Sequence, residues 1–299
     1  SPLLFVYIIY TSILRGVGDS TTPLLALALT SVIGVIITPI LLKGYFGFPA
    51  LGIIAPAIAS IISYIAILIF LALYLNKKKH PLRPNRQLLQ HIRHNSALSK
   101  IILRLGVPTG IQMITTSMAG LVIVGLVNRF GAHATAAYGA VNQVLNYIQF
   151  PAISISIAAS IFAAQAIGAG KSDLLARVTR TALGMNFLFT GALIALGYLF
   201  SKYLMALFIT DPTVVVLGQQ LLFIVLWAIL FFGAGAIFAS IMRASGTVTV
   251  PMLINISAIL FIEMPCAYWF SSMWGLKGIW VAYALAFVSL CIIQGLYYQ

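Results

Sequence analysis

Eight stretches of about 20 or more mostly apolar residues, separated by short polar or Gly/Pro breaks, leave this chain few folds to adopt. They lie near 23–42, 50–75, 101–128, 134–167, 176–208, 214–242, 251–272 and 276–298, with a shorter apolar run at 2–14. A helix crossing the ~30 Å hydrocarbon layer needs about 20 residues, and lipid offers backbone N–H and C=O groups no partner outside the helix. The expected fold class is therefore all-α integral membrane, a polytopic helical bundle of about nine spans, the first one partial. Composition agrees: 62% of residues are hydrophobic and 7% charged, whereas a soluble domain carries about 25% charged residues. The breaks carry helix-end chemistry, at Thr21-Thr22-Pro23, Pro49, Gly131, Gly168-Ala169-Gly170, Asp211-Pro212, Gly246 to Pro251 and Gly275.

A net charge of +13 would suit a nucleic-acid binder, but position argues otherwise. Lys77, Lys78, Lys79, Arg83, Arg86, Arg93, Lys100 and Arg104 fall in one interval with no acidic residue among them, the pattern of a cytoplasmic loop under the positive-inside rule beside anionic lipid. Alternating the spans from that loop puts Arg15, Lys171, Arg177, Arg180 and Arg243 on the cytoplasmic side as well. Only Lys43, Arg129, Lys202 and Lys277 remain opposite. Linker 76–100 and the C-terminus are thus expected in the cytoplasm, with the lipid bilayer as partner and no nucleic acid. Cys266 and Cys291 sit in apolar runs and read as small buried hydrophobes. The chain opens Ser-Pro-Leu-Leu with no signal-peptide pattern, and is expected to be a piece of a longer protein.

Within the linker, Arg86 to Leu98 places Leu88, Leu89 and Ile92 on one side, the pattern of an interfacial amphipathic helix. His91 and His94 are three apart but have no third ligand nearby, so a solvated basic face is expected rather than a metal site. Lys171-Ser172 after Gly170 is not a phosphate loop, because Gln165 stands where the motif needs Gly and no strand precedes it.

Self-similarity organises the rest. Arg15-Gly16-Val17-Gly18 through Pro23 recurs as Arg243-Ala244-Ser245-Gly246 through Pro251, with Arg, Gly, Thr and Pro all at an offset of 228, and Ser12-Ile13 matches Ser240-Ile241. After a two-residue slip, Pro39 pairs with Pro265 and Gly52-Ile53 with Gly278-Ile279. Six spans separate the copies, so both cross in the same direction, a parallel repeat. Residues 101–229, about four spans, precede the second copy and have no counterpart ahead of Ser1. The expectation is a twelve-helix protein of two six-helix bundles: 1–75 ends the N-terminal bundle, 76–100 is a basic linker and 101–299 is the C-terminal bundle.

Only four acidic residues occur. Asp19 and Asp211 sit in connections beside Thr or Pro, where capping and turn formation are expected, and Asp173 stands at a helix start. Glu263 lies twelve residues into the span that begins at Pro251, about 18 Å deep at 1.5 Å per residue. A carboxylate there must be protonated, paired or bound to a cation. It is the candidate for cation coupling, and the alternative is a protonated structural group held by a neighbouring helix. Asn142, Asn146 and Gln149, at i, i+4 and i+7, share a helical face and must meet protein or a water-filled cavity. With Tyr138, and Gln112 on the preceding helix, they are candidates for lining a cavity, though helix–helix hydrogen bonding would also account for them. Met113, Met118, Met185, Tyr147 and Phe150 would suit an adaptable apolar wall or ordinary packing.

The parallel bundles, the Arg-Gly-x-Gly-Asp-x-x-x-Pro turn at Arg15–Pro23 and the basic linker leading into Leu105-Gly106-Val107-Pro108 resemble the multidrug and toxic compound extrusion (MATE) family. Gly131-Ala132-His133 through Tyr138 and Ala164-Gln165 through Gly170 match the family as well. The resemblance covers essentially the whole chain. It implies a secondary active antiporter of the plasma membrane, the inner membrane of a bacterium, that expels drug-like and often cationic small molecules as H⁺ or Na⁺ enters, with no other cofactor. It also implies carboxylates in the seventh and tenth family helices. Aligned on Pro108 and Arg243, those positions here are Thr116 and Phe232, neither of which ionises, and a first-helix carboxylate would fall ahead of Ser1. Coupling through Glu263 and coupling through the other bundle both stay open. A lipid-linked oligosaccharide flippase of the same superfamily is the alternative, against which stands the near absence of Lys and Arg from the spans. An enzyme is not expected, since no span carries a His or a clustered nucleophile.

Overall fold

A computed structural model describes residues 2–45, 50–80, 82–83 and 95–298. The helices are α1 (Pro2–Gly16), α2 (Thr21–Lys43), α3 (Ala55–Lys77), α4 (Ser96–Asn128), α5 (Ala132–Gly168), α6 (Leu174–Leu199), α7 (Ser201–Ala206), α8 (Pro212–Val225), α9 (Ile229–Ala244), α10 (Thr249–Ser257), α11 (Met264–Trp274) and α12 (Leu276–Tyr298). A 3₁₀ turn at Leu226–Ala228 joins α8 to α9, and a π-helical segment at Ala258–Glu263 joins α10 to α11. With these joints bridged, eight runs among the described residues are long and apolar enough to cross a membrane, and α1 is a shorter apolar helix. The amphipathic stretch expected at 86–98 lies mostly outside the described residues, as do His91 and His94; α4 begins at Ser96.

One expected boundary moves. The span drawn over 176–208 ends at Leu199, and Ser201–Ala206 forms the separate short helix α7. Phe200 leaves helical geometry at φ −104° and ψ 15°. Beyond it Ser201 is buried and its hydroxyl accepts a 2.9 Å hydrogen bond from Gln219 Nε2 on α8. Met205 is fully buried against Gly218, so polar and apolar ties to α8 both act on the short helix.

Contacts divide the chain into two compact units, 1–95 and 96–299. In the first, α3 buries Ala55, Ala59, Ser63, Ile67, Leu71 and Leu75 at every fourth position, one face of a helix, and α2 packs beside it. In the second, α9 packs against α5, α6 and α12. Lipid tails are as apolar as leucine, so these helices associate by close fit of small residues rather than by escape from water. Gly197 meets Leu226 and Ile148, and Gly235 meets Leu290 and Gln294.

The repeat has a structural counterpart. Gly18 and Gly246 share a left-handed backbone, φ 92° and 88°, a region L side chains disfavour and glycine tolerates. Gly18 N donates to Arg15 O and Asp19 N to Leu14 O; Gly246 N donates to Arg243 O and Thr247 N to Met242 O, all at 3.0 Å. Each pair closes the end of a helix by the same device. The slip in the repeat falls between Pro251 and Pro265, the interval that holds the π segment.

The connecting aspartates cap helices as expected. Asp19 accepts from Thr22 N at 3.0 Å and Thr22 Oγ1 at 2.5 Å. Burial alone would raise its carboxyl, but the Thr22 hydrogen bonds outweigh it and, with His80 at 3.8 Å, hold it below the usual value. Asp211 accepts from Thr213 Oγ1 and N at 2.7 and 2.8 Å, which likewise lowers it. Asp173 stands at the N-cap of α6 without a capping hydrogen bond.

Candidate functional site

A cavity of about 330 Å³ in the second unit is bounded by α4, α5, α9, α12 and the run from α10 into the π segment. It gathers Tyr138, Asn142, Asn146, Gln149 and Glu263, which the sequence had singled out for two separate reasons, together with Thr116 and Phe232. Gln112 is not among the lining residues. Its backbone carbonyl accepts a 3.0 Å hydrogen bond from Thr116, one turn further along α4, and Thr116 is the residue that reaches the cavity.

The α5 stripe reaches the cavity because its three polar positions repeat at helical spacing. Asn142 Nδ2 donates to the Tyr138 carbonyl at 3.0 Å, which leaves its oxygen available to an occupant. Pro151, two residues beyond Gln149, lies inside a helix that continues to Gly168. Its ring supplies no N–H to the Tyr147 carbonyl, so the backbone next to the stripe lacks that rung of the helical ladder.

Glu263 is 9% exposed and is the last residue of the π segment. A π turn widens the backbone ladder to i→i+5 and occurs frequently at functional sites. Pro265 gives a local reason for it: a regular α-helix would set its ring against the Phe261 carbonyl and withhold the expected N–H. No ion pair reaches Glu263 among the described residues, whose two pairs are His80 with Asp19 and His133 with Asp211. No Lys or Arg lines the cavity.

Aromatic rings from α12 form one wall. Trp280, Tyr283 and Phe287 follow at i, i+3 and i+7, with ring centroids 5.6 and 6.2 Å apart in sequence order. Tyr138 packs on Trp280 at 5.4 Å and Phe232 on Phe287 at 5.2 Å. The Tyr138 and Tyr283 hydroxyls lie 3.3 Å apart, and Glu263 lines the same cavity. Trp280 is fully buried with no partner for Nε1 among the described residues. Across the cavity Thr116 Oγ1 lies 3.4 Å from Asn255 Oδ1.

Asn255, Trp280 and Tyr283 were missed in the sequence. Asn255 stands eight residues before Glu263, about two turns, and the α12 aromatics have helical spacing, so the signals existed but looked like packing. The set as a whole offers one carboxylate, neutral amide and hydroxyl oxygens, and ring faces. Such groups suit a cation, either a proton on the carboxylate or an ion held by oxygen ligands. No group of three or more His, Cys, Asp or Glu that could hold a metal occurs among the described residues.

The MatE family model matches residues 108–269. The chain is 45% identical over its full length to the probable multidrug resistance protein YoeA of Bacillus subtilis (strain 168), covering 65% of that protein. Over 94% of its length it is 26% identical to the FAD transporter of Shewanella oneidensis, covering 62% of it. A solved outward-facing structure of a multidrug resistance MATE family transporter of the MOP superfamily superposes with a TM-score of 0.90 at 19% identity, over 99% of this chain and 65% of that one. The chain thus spans about two thirds of the length of these relatives.

Proposed function

We propose, from the premise that this chain belongs to the MatE family, that its protein is a secondary active antiporter. It exports drug-like, often cationic compounds across a bacterial inner membrane in exchange for H⁺ or Na⁺. The supporting observation is the enclosure of Glu263 in a cavity of neutral polar and aromatic groups without a basic residue. Such a group gains or loses a cation at low cost only when the cavity opens or closes to water, which links ion movement to conformation. In this reading residues 1–75 complete an N-terminal six-helix bundle, 76–100 form a cytoplasmic linker and 101–299 form the C-terminal bundle.

The same lining disfavours the flippase reading, because lipid-linked phosphates would meet a carboxylate with no Lys or Arg to hold them. The name of the Shewanella oneidensis relative raises a dinucleotide as cargo, and the same objection applies. The test is dye efflux by the full-length gene product in a pump-deficient strain under imposed H⁺ and Na⁺ gradients. Extrusion of cationic dyes that follows one of the gradients is expected. Efflux that ignores both gradients would overturn antiport.

A further inference from the structure

Between α5 and α6 runs a groove of about 360 Å³ that takes no part in the cavity around Glu263. Its walls are apolar, with Ile155, Ala158 and Phe162 from α5 and Leu174, Val178 and Met185 from α6. Arg177 is the one charged residue lining it. From Leu174 to Met185 the groove follows α6 for about 16 Å at 1.5 Å per residue, roughly half the ~30 Å hydrocarbon layer. It is therefore one leaflet deep, with its charge near the helix start and its apolar length toward the middle of the bilayer.

Arg177 is exposed and has no ion-pair partner among the described residues, whose two pairs use Asp19 and Asp211. Asp173, four positions earlier on the same helix surface, stays outside ion-pairing distance. Phe162 and Met185 are 61% and 48% exposed. Arg180, a neighbour of Arg177 one turn along α6, lines an adjoining groove with Phe238 and Ile292.

We propose that the α5–α6 groove binds an anionic phospholipid, with one acyl chain along the groove and the phosphate on the Arg177 guanidinium. The charge sign, the depth and the apolar walls all match that ligand. Basic pockets between transmembrane helices recognise anionic headgroups on general electrostatic grounds, and guanidinium suits phosphate geometry. A lipid is already confined to the membrane, so its capture costs less orientational freedom than that of a soluble ligand. A soluble phosphate would leave the apolar groove unfilled.

Native mass spectrometry of the purified full-length gene product, titrated with phosphatidylglycerol or phosphatidylcholine of the same chain length, tests this. Retention of phosphatidylglycerol should exceed that of phosphatidylcholine at least fivefold. Arg177→Gln should bring it down to the phosphatidylcholine level, and Ala158→Trp should lower it by filling the groove without altering charge. Lys277→Gln should leave it unchanged. Equal retention of the two lipids, or wild-type retention in both Arg177→Gln and Ala158→Trp, would overturn the proposal. So would displacement of the bound lipid by millimolar inorganic phosphate, which would make the site a phosphate site rather than a lipid site.

Discussion

The side chain of Asn186 occupies the space in which Gly233 lacks a Cβ. A Cβ built at Gly233 would collide with Asn186 Oδ1, Cγ and Nδ2, and Asn186 is held there by donating to the Leu230 carbonyl at 3.1 Å and accepting from Thr190 Oγ1 at 3.0 Å. Gly233→Ala should therefore destabilise the protein by about 1–3 kcal/mol, the usual cost of overpacking, because Asn186 is fully buried and has nowhere to retreat. Gly184→Ala, where nothing lies within 4 Å, is the control and should be neutral or slightly stabilising. Thermal unfolding in detergent checks both. Equal Tm values for the two variants would show that the interlock is looser than its geometry.

Glu263 separates two roles by one substitution. Glu263→Gln keeps size and hydrogen bonding but cannot ionise, so ion-driven efflux should fall at least tenfold while expression and insertion persist. Glu263→Asp should retain part of the activity, since the charge remains but is displaced by one methylene. Efflux rates measured against imposed pH and Na⁺ gradients decide the matter. Wild-type rates in the Gln variant would assign Glu263 to structure and place coupling elsewhere in the protein.

The aspartate caps make stability depend on acid. Thr213 holds the Asp211 carboxyl below its ordinary value, and for Asp19 the Thr22 hydrogen bonds win over burial with the same result. A carboxylate lowered in the folded state stabilises above its unfolded pKa, and that contribution fades as pH falls through the folded value. Tm should hold steady from neutrality down to about pH 4, the ordinary aspartate value, and decline below it. Asp211→Asn should reduce the steepness of that decline, and an unchanged acid limb would count against the capping assignment.

The orientation expected from the charge distribution is open to direct measurement. In a background of Cys266→Ala and Cys291→Ala, a cysteine replacing Asn85 should react with an impermeant maleimide only after permeabilisation. One replacing Thr210 should react in intact cells. The reverse pattern would invert the charge-based topology.

Spans and repeat were legible because both rest on local chemistry. Hydrocarbon thickness sets helix length, and a left-handed turn demands glycine, so Gly18 and Gly246 could be paired before any coordinates. The break at Phe200 was not legible: Leu199 and Phe200 continue an apolar run, and what divides α6 from α7 goes with contacts 13 or more residues away, from Ser201 to Gln219 and Met205 to Gly218. The candidate cavity was half legible. Periodicity found the α5 stripe and depth found Glu263, but only packing shows that α12 brings Trp280 and Tyr283 to the same place. Gln112 and Thr116 share one face of α4, and it is position along the helix, not phase, that brings Thr116 rather than Gln112 to the cavity.

The π segment has a consequence for how this protein can vary. A π turn holds one residue more than the α-helix it interrupts, so it acts as a reading-frame insertion written in three dimensions. Because the wider turn absorbs that residue, the helix on either side keeps its phase, and deleting a single residue between Ala258 and Phe261 would let the ladder revert to i→i+4 with both flanks facing as before. Asn255 and Glu263 would both keep to the cavity face, and the Pro265 ring would then meet the Phe261 carbonyl of a regular helix. A substitution in this stretch is a local event. A one-residue deletion here would leave the lining in place, whereas the same deletion in a regular α-helix, which has no spare residue to give up, would turn one flank by about 100° relative to the other.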